Sequence, residues 1–431
     1  VAYALTTSGT GTGSNTLVKL QRKVQGNILL GFQRRCREWA MAEKLSNFDL
    51  DASAREVTAP VDITRQPAGA FIPEGGYEAI PQTAAPEELT FTWANHNFRW
   101  SYTRTSQFID KKFRNAELER QSKYQVKKGV EGLSRRVAWS FYGTSDGVMS
   151  LTSTNATQSS GTYGLLDGFG QTDIDDTTYL SSMYVVNDRV ALIRSGALVA
   201  NSAGGLVTAS STSGIAVTWG GSVDSDANDQ IVMSASSGHT LITGTIAHTD
   251  YNLAPVGILN ATKTASVHGL SSATAPLWAV AYSDPGGGLF TGTKAMRGRD
   301  EIRNKGTAEP DILIWDQGVK RKTYESTSAA VNFNDPLGME IIGSVKTGGI
   351  TQFESQYAPP GYVFMGAKKS IKKWTLVNMP DEETGDLSGS DGYTDDKLQD
   401  INANVGSFDF PYAWIWPCRA NLAYWSGLTR A

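Results

Sequence analysis

The sequence predicts an α+β protein with more strand than helix. Three observations lead there. Forty-four glycines stand against 15 prolines in 431 residues, a balance that suits a chain with many turns. Between residues 144 and 290, short apolar runs recur at roughly 8–12-residue intervals between Gly, Asn, Asp and Ser, which is the spacing of successive strands. One proline-free stretch, residues 107–142, carries apolar residues at steps of three and four, which is helical spacing. Hydrophobic residues are 40% and charged residues 19%, enough to build a sizeable core and too apolar for wholesale disorder.

Charge and cysteine content narrow the class. The formal net charge is −4, which excludes a strongly basic nucleic-acid coat. Residues 1–140 hold 20 basic and 14 acidic side chains, residues 141–290 hold 3 and 11, and residues 291–431 hold 16 and 18. A positive front and a negative middle suit self-association. The plainer account is that helices carry Lys and Arg while β loops carry Asp. Cys36 and Cys418 are the two cysteines and lie far apart, so there is no disulfide framework and a reducing compartment is expected. No apolar run reaches the ~18–20 residues that span a bilayer, and Val1 to Gly13 lack the pattern of a signal peptide.

Taken in order, residues 1–16 are small and polar and read as a flexible terminus. Residues 17–46 mix apolar and basic groups at helical spacing. Ile28, Leu29, Phe32, Cys36, Trp39 and Ala40 share a face, with Lys19, Arg22, Lys23, Arg34, Arg35 and Arg37 as the basic set. That segment is either an ordinary amphipathic helix or an arm laid on a neighbouring subunit. Residues 55–106 alternate as strands at both ends. Their middle holds Pro67, Pro73, Pro81 and Pro86 with Gly75-Gly76, which no helix interior tolerates. A long two-stranded hairpin with an irregular tip is predicted, and such a ribbon is marginal alone in water.

Residues 107–142 are the clearest helix. Val126, Val130, Leu133, Val137 and Phe141 form its stripe; Gly129 and Gly132 weaken it by about 1 kcal/mol each, and Gly143 is the expected cap. The runs MYVVND, RVALIRSG, GLVTAS, GIAVTWGG, DQIVMSAS and TLITGTIA are read as strands. Residues 290–306 read as a helix stopped by Gly306. Pro310-Asp311 leads into ILIW (312–315), a buried strand, and then a second helix. Strands return over 338–378, residues 381–404 read as an acidic loop, and the end reads as an aromatic strand pair around Pro417-Cys418.

Catalytic and metal motifs are weak. His96, His239, His248 and His268 lack partners at helical zinc spacing. No nucleophile elbow or P-loop occurs. GTGTG at 9–13 and GGG at 286–288 resemble phosphate loops in composition alone. The clusters Asp173, Asp175, Asp176 and Asp224, Asp226, Asp229 lack the loop Gly and terminal Glu of an EF-hand and read as solvated turns. Trp93/Trp100 and Trp414/Trp416 alternate within strands, which favours packing over base or sugar stacking. The expectation is no enzyme, no cofactor and no metal.

The order of elements resembles the major capsid proteins of tailed bacteriophages (Caudoviricetes), with the Hong Kong 97-type fold. Two stretches carry the resemblance most. AMRGRDEIRNKGTAEPDILIWDQGVKRKTYES runs helix, Pro-Asp, strand, helix; GSVKTGGITQFESQYAPPGYVFMGAKKSIKKW runs strand, Pro-Gly turn, strand. The resemblance implies an N-terminal arm (1–54), an extended β-hairpin loop (55–106) and a peripheral domain (107–290). That domain would hold the spine helix 107–142 and a β-rich insertion at about 180–280. An axial domain (291–360) and returning strands (361–431) would follow. It implies hexamers and pentamers of an icosahedral head enclosing double-stranded DNA, assembled in the host bacterial cytoplasm. Partners would be other copies of the chain, portal, scaffolding and cement or decoration proteins, and packaged DNA through weak nonspecific contact; no membrane is implied. The implied inter-subunit contacts are Phe71, Ile72, Glu74, Trp93, Phe98 and Trp100 of the loop. Residues 56–110 contain no lysine, so a Lys–Asn weld from that loop, as in some relatives, is not available. The competing classes are an encapsulin-like cellular shell, a β-rich fibre or adhesin module, and a glycoside hydrolase using Glu382 and Glu383.

Overall fold

Alternation and turn chemistry place the strands. The computed structural model describes residues 36–46, 48–51, 56–61, 87–103, 116–234, 249–273, 275, 278–328, 350–376, 393–397 and 403–430. The chain divides into two units, one of residues 1–41, 94–138 and 374–412, the other of residues 42–93, 139–373 and 413–431. The expected α+β class holds.

In the first unit, strand Ala94–Thr103 pairs antiparallel with the long strand Ala403–Ile415, from Ala94 opposite Tyr412 to Thr103 opposite Ala403. Tyr393–Lys397 pairs antiparallel with the same strand, at Asn404–Phe408. Asn97 Nδ2 donates to Asp409 Oδ1 (2.6 Å) across the registered pair. The short helix Arg37–Met41 sets Trp39 edge-on to Phe410 at 5.2 Å. Two expectations change here. Asp395 and Asp396 of the expected acidic loop are strand residues. The hairpin expected over 55–106 ends at Thr92, because the next strand joins residues 403–412 instead.

The hairpin itself is present in the second unit. Glu56–Val61 pairs antiparallel with Glu87–Thr92, and Asp49–Asp51 adds on the other side. Val57, Ala59 and Val61 alternate inward with Leu89 and Phe91, as one buried face demands. Residues 62–86 lie outside the described residues.

The predicted β-rich stretch is an eight-stranded antiparallel sheet. Its order is Ala156–Tyr163, Gly214–Ser225, Gly205–Ser211, Arg189–Arg194, Gln230–Met233, Val148–Thr152, Leu165–Leu166, with Ala197–Leu198 beside Arg189–Arg194. Ser195 and Gly196 both take positive φ (50° and 82°), the primed turn that a two-residue hairpin needs. Val148, Ala191, Ile193 and Val232 pack as one cluster. MYVVND is not a strand: helix Thr177–Ser182 runs into it and a turn follows. The Asp176 carboxylate caps that helix, accepting from Thr178 N and Tyr179 N. TLITGTIA lies outside the described residues.

The helix–strand–helix unit is as expected. Helix Gly292–Lys305 is capped by Thr291 and stopped at Gly306. Strand Ile312–Asp316 is buried throughout, and helix Gln317–Ser328 follows. A five-stranded sheet forms in the order Tyr282–Asp284, Leu422–Trp425, Val363–Gly366, Ile312–Asp316, Thr351–Ser355. Its outer pairs are parallel and its inner pairs antiparallel. Leu313, Trp315, Val363, Met365, Ala423 and Trp425 meet Ala295 and Ile302 of the helix in one core. The expected pairing of the two aromatic strands near Pro417 is corrected: Ala403–Ile415 and Leu422–Trp425 belong to different sheets, because the turn Arg419–Asn421 redirects the chain.

The long helix is described from Ala116 to Tyr142, 27 residues, about 40 Å at 1.5 Å per residue. Residues 107–115 lie outside the described residues. Leu133, Val137 and Phe141 are buried, as the C-terminal part of that stripe predicts; the burial of Val126 and Val130 lies outside what is described. Among the described residues no helix is long and apolar enough to cross a membrane.

Candidate functional site

Most residues that the sequence singles out as contacts fall outside the described residues: Phe71, Ile72 and Glu74 of the loop, and Lys19, Arg22, Lys23, Arg34 and Arg35 of the arm. Arg37 opens the short helix and is exposed. Trp93 is half-buried between two strands. Phe98 and Trp100 sit at register positions opposite Phe408 and Gly406. The structure therefore does not bring Trp93, Phe98 and Trp100 together within one hairpin.

A dense polar site joins Asp173 and Asp176, read in sequence as solvated turn residues, to side chains the sequence does not single out. It lies in the second unit, where loop 167–176 and helices Thr177–Ser182 and Ile258–Lys263 meet the five-stranded sheet. Lys263 Nζ donates to both oxygens of Asp173 (3.1 and 3.2 Å) and to Gln171 Oε1 (3.1 Å). Tyr362 OH also donates to Asp173. Arg430 bridges two carboxylates, Asp316 through Nε (2.8 Å) and Asp176 through a terminal nitrogen. Asp316 is buried and also accepts from Gly361 N (3.1 Å). Rings close the same junction: Trp139 meets Tyr179 at 5.3 Å, Tyr357 at 5.0 Å and Phe169 at 6.2 Å. Phe169 holds φ of 53°, a conformation that costs about 1–3 kcal/mol in a bulky residue.

The charges follow from these contacts. Burial pushes the Asp173 carboxyl up, but the Tyr362 hydroxyl and the Lys263 ammonium outweigh it and hold the group below its ordinary value. Asp176 behaves alike, with the Tyr179 amide and Arg430 overcoming burial. Burial, and then the bond to Asp173, push the Tyr362 hydroxyl up. Two carboxylates of each Asp cluster are ion-paired: Asp173 with Lys263 and Asp176 with Arg430 in one, and Asp226 (2.9 Å) and Asp229 (2.8 Å) with Arg194 in the other. Among the described residues no cluster of His, Cys, Asp or Glu is arranged to hold a metal ion.

One buried cation, Arg419, and one buried ring, His268, also belong to the second unit. Arg419 is 2% exposed and donates to the carbonyls of Ala261 (2.6 Å), Ala265 (3.2 Å) and Thr264. It caps the C-terminal end of helix Ile258–Lys263 with no carboxylate, and burial lowers its pKa to about 10, so it stays charged at neutral pH. His268 is 6% exposed, and neither ring nitrogen has a hydrogen-bond partner. Burial, with the Arg419 charge, lowers its pKa to about 3. Its carbonyl accepts from Thr90 N (3.1 Å), and its ring meets Phe91 edge-on at 5.8 Å.

His268 sets a pH dependence. Its ordinary pKa is 6.5. Above that value folded and unfolded chains are both neutral there. Below it the unfolded chain takes up a proton that the folded chain refuses. Stability should therefore fall as pH drops from 6.5 toward 3, by about 2 kcal/mol at pH 5. The depressed Asp173 and Asp176 act lower, stabilising above 3.8 and losing that contribution as pH falls through their folded values. Urea unfolding of His268→Phe should show a flatter profile between pH 7 and 5 than the parent. Parallel profiles would disprove the assignment.

No protein-family model and no curated protein matches the chain. Among solved structures, it is similar to a chain of the satellite phage P4 procapsid including size determination protein. The two are 8% identical, with 94% of this chain and 90% of that chain covered and a TM-score of 0.41. It is also similar to a chain of the cyanophage A-1(L) capsid (7% identical, 87% and 88% covered, TM-score 0.49). A third is a chain of the capsid of the native GTA particle (10% identical, 93% and 90% covered, TM-score 0.42). The solved chains named here are from capsids.

Proposed function

We propose that the chain is a structural protein, the major capsid protein of a tailed phage with the Hong Kong 97-type fold. Copies assemble as hexamers and pentamers into an icosahedral head around double-stranded DNA, and the role is structural rather than catalytic. One observation carries the reading: the run of helix Gly292–Lys305, strand Ile312–Asp316 and helix Gln317–Ser328, with the returning strands Thr351–Ser355 and Val363–Gly366 in the same sheet. That run follows the hairpin 56–92 and the long helix in the order the sequence resemblance implies. In this reading the hairpin extends beyond Val61 and Glu87 over a neighbouring copy, where Phe71 and Ile72 are covered and Glu74 meets a basic group. Covering each large apolar side chain is worth about 1.5–3 kcal/mol, and each interface is of the obligate kind, above roughly 2,000 Å².

Electron microscopy of the purified protein tests the class. Closed shells of uniform size are expected, and a monodisperse monomer at high concentration would rule the reading out. Replacing Phe71 and Ile72 by Asp should block shell formation while circular dichroism of the chain stays near the parent's. Shells at the parent's yield would show that the tip is not an assembly contact. With no lysine in 56–110, boiling in SDS should release one band of monomer size. A ladder of covalent multimers would contradict the noncovalent joint.

A further inference from the structure

A two-residue turn joins the short strands Ser266–Val267 and Leu270–Ser271, which pair antiparallel. Its central residues, His268 and Gly269, both take positive φ (54° and 80°), the primed geometry of a tight hairpin. Glycine adopts it freely, whereas a histidine does so uncommonly. The turn sits against strand Glu87–Thr92, which ends its three-stranded sheet. His268 O accepts from Thr90 N (3.1 Å), a bond that an edge strand otherwise leaves to water. A Cβ on Gly269 would lie 3.9 Å from Thr90 Cβ, and the His268 ring meets Phe91 at 5.8 Å. Both ring nitrogens are buried without a hydrogen-bond partner. Arg419 is the charge that acts on the ring. The same cation holds the root of the hairpin, where Ala265 O accepts from Arg419 (3.2 Å) and from Ser272 N (3.0 Å). The other charged groups on the surrounding elements are Glu87 and Glu88, both exposed, Glu56 opposite Thr92, and Lys263, which Asp173 holds.

We propose that the turn His268-Gly269 is an acid-sensitive clamp on the base of hairpin 56–92, closed while the His268 ring is neutral and opened when the ring takes a proton. A charged imidazole carries two N–H donors. Seated here, it would bury both without an acceptor, beside a fixed cation. Water reaches the ring only when it leaves Phe91. Because the carbonyl of the same residue holds Thr90 N, the backbone bond leaves with the ring. The closed turn keeps the ring neutral far below its ordinary 6.5, down to about 3, so the open form is protonated first. The ladder between Glu56–Val61 and Glu87–Thr92 uses other bonds and survives the opening. What changes is how the hairpin is attached, not whether it forms. The clamp does not depend on the capsid reading.

Hydrogen exchange of the full chain, read peptide by peptide and divided by the intrinsic rate at each pH, tests the clamp. One proton gained on opening should lower the protection of 87–92 and 266–271 about tenfold per pH unit below 6.5, or about 25-fold between pH 7 and pH 5. That range stays above the depressed Asp173 and Asp176. A local opening exposes little surface, so exchange of these two segments should barely respond to low urea. Exchange of the buried strand 312–316 should accelerate with it. His268→Asn keeps a side chain that tolerates positive φ and does not titrate, and should remove the pH slope. His268→Phe, which keeps a ring against Phe91, is the second non-titrating variant and should do the same. Protection in the parent that is flat from pH 7 to pH 5 would overturn the clamp. So would the parent's slope persisting in both variants, or segments 87–92 and 266–271 tracking 312–316 in urea, which would mean that the turn opens only when the whole unit unfolds.

Discussion

Arg419→Met should destabilise the second unit by roughly 1–3 kcal/mol, because it leaves the buried Ala261 carbonyl without a donor and removes two further charged hydrogen bonds. The guanidinium meets Ala261, Thr264 and Ala265 at the end of helix Ile258–Lys263. The first two are carbonyls of the kind a helix end leaves unpaired, whereas Ala265 O also accepts from Ser272 N (3.0 Å). Methionine matches the volume of the stem and removes every donor, so the loss reads the hydrogen bonds rather than a cavity. Arg419→Lys should recover part of the loss, since one ammonium cannot span three acceptors. Removing the charge also relieves His268, so Arg419→Met should raise the pKa of that ring from about 3. Urea titration measures the first effect and NMR of the histidine ring the second. A loss below about 1 kcal/mol would show that water replaces the guanidinium.

The sequence makes some of this fold legible and hides the rest for physical reasons. Strand Ile312–Asp316 is readable because four contiguous apolar residues follow Pro310-Asp311, and burial on both faces needs no alternation. Helix Gly292–Lys305 is readable because Ala295, Gly298 and Ile302 recur at steps of three and four and Gly306 ends it. Pairing partners are another matter. Residues 94–103 alternate as a strand, yet their partner lies about 310 positions later in sequence, and periodicity carries no information about that choice. The junction is hidden for the same reason. Asp173, Lys263 and Tyr362, or Asp176, Asp316 and Arg430, form no local pattern and meet only when distant loops, helices and strands converge. A lone Arg419 near the end of a chain reads as surface charge, and nothing nearby in sequence marks the helix end it caps.

Gly257 and Gly132 should respond in opposite directions to alanine. Gly257 precedes helix Ile258–Lys263 with an ordinary φ of −82°, so strain in the left-handed region is not the issue. The issue is space. A Cβ there would lie 2.3 Å from Gly143 O, 2.6 Å from Ser140 O and 2.8 Å from Gly143 N. All three atoms are backbone at the C-terminal end of the long helix, so no side-chain rotation can relieve the clash. The neighbourhood is also pinned, with Trp416 Nε1 donating to Val256 O (2.7 Å) and Trp414 Nε1 to Ser140 Oγ (3.1 Å). Gly257→Ala should therefore cost about 3 kcal/mol, at the upper end of overpacking. Gly132 lies inside the long helix, is exposed, and has nothing within 4 Å of an added Cβ. Gly132→Ala should stabilise by roughly 0.5–1 kcal/mol through helix propensity. Thermal unfolding of the two single variants checks both signs. A neutral Gly257→Ala would mean that the helix ends separate freely, and the close backbone approach would then not be what seats Ile258–Lys263 against Ser140 and Gly143.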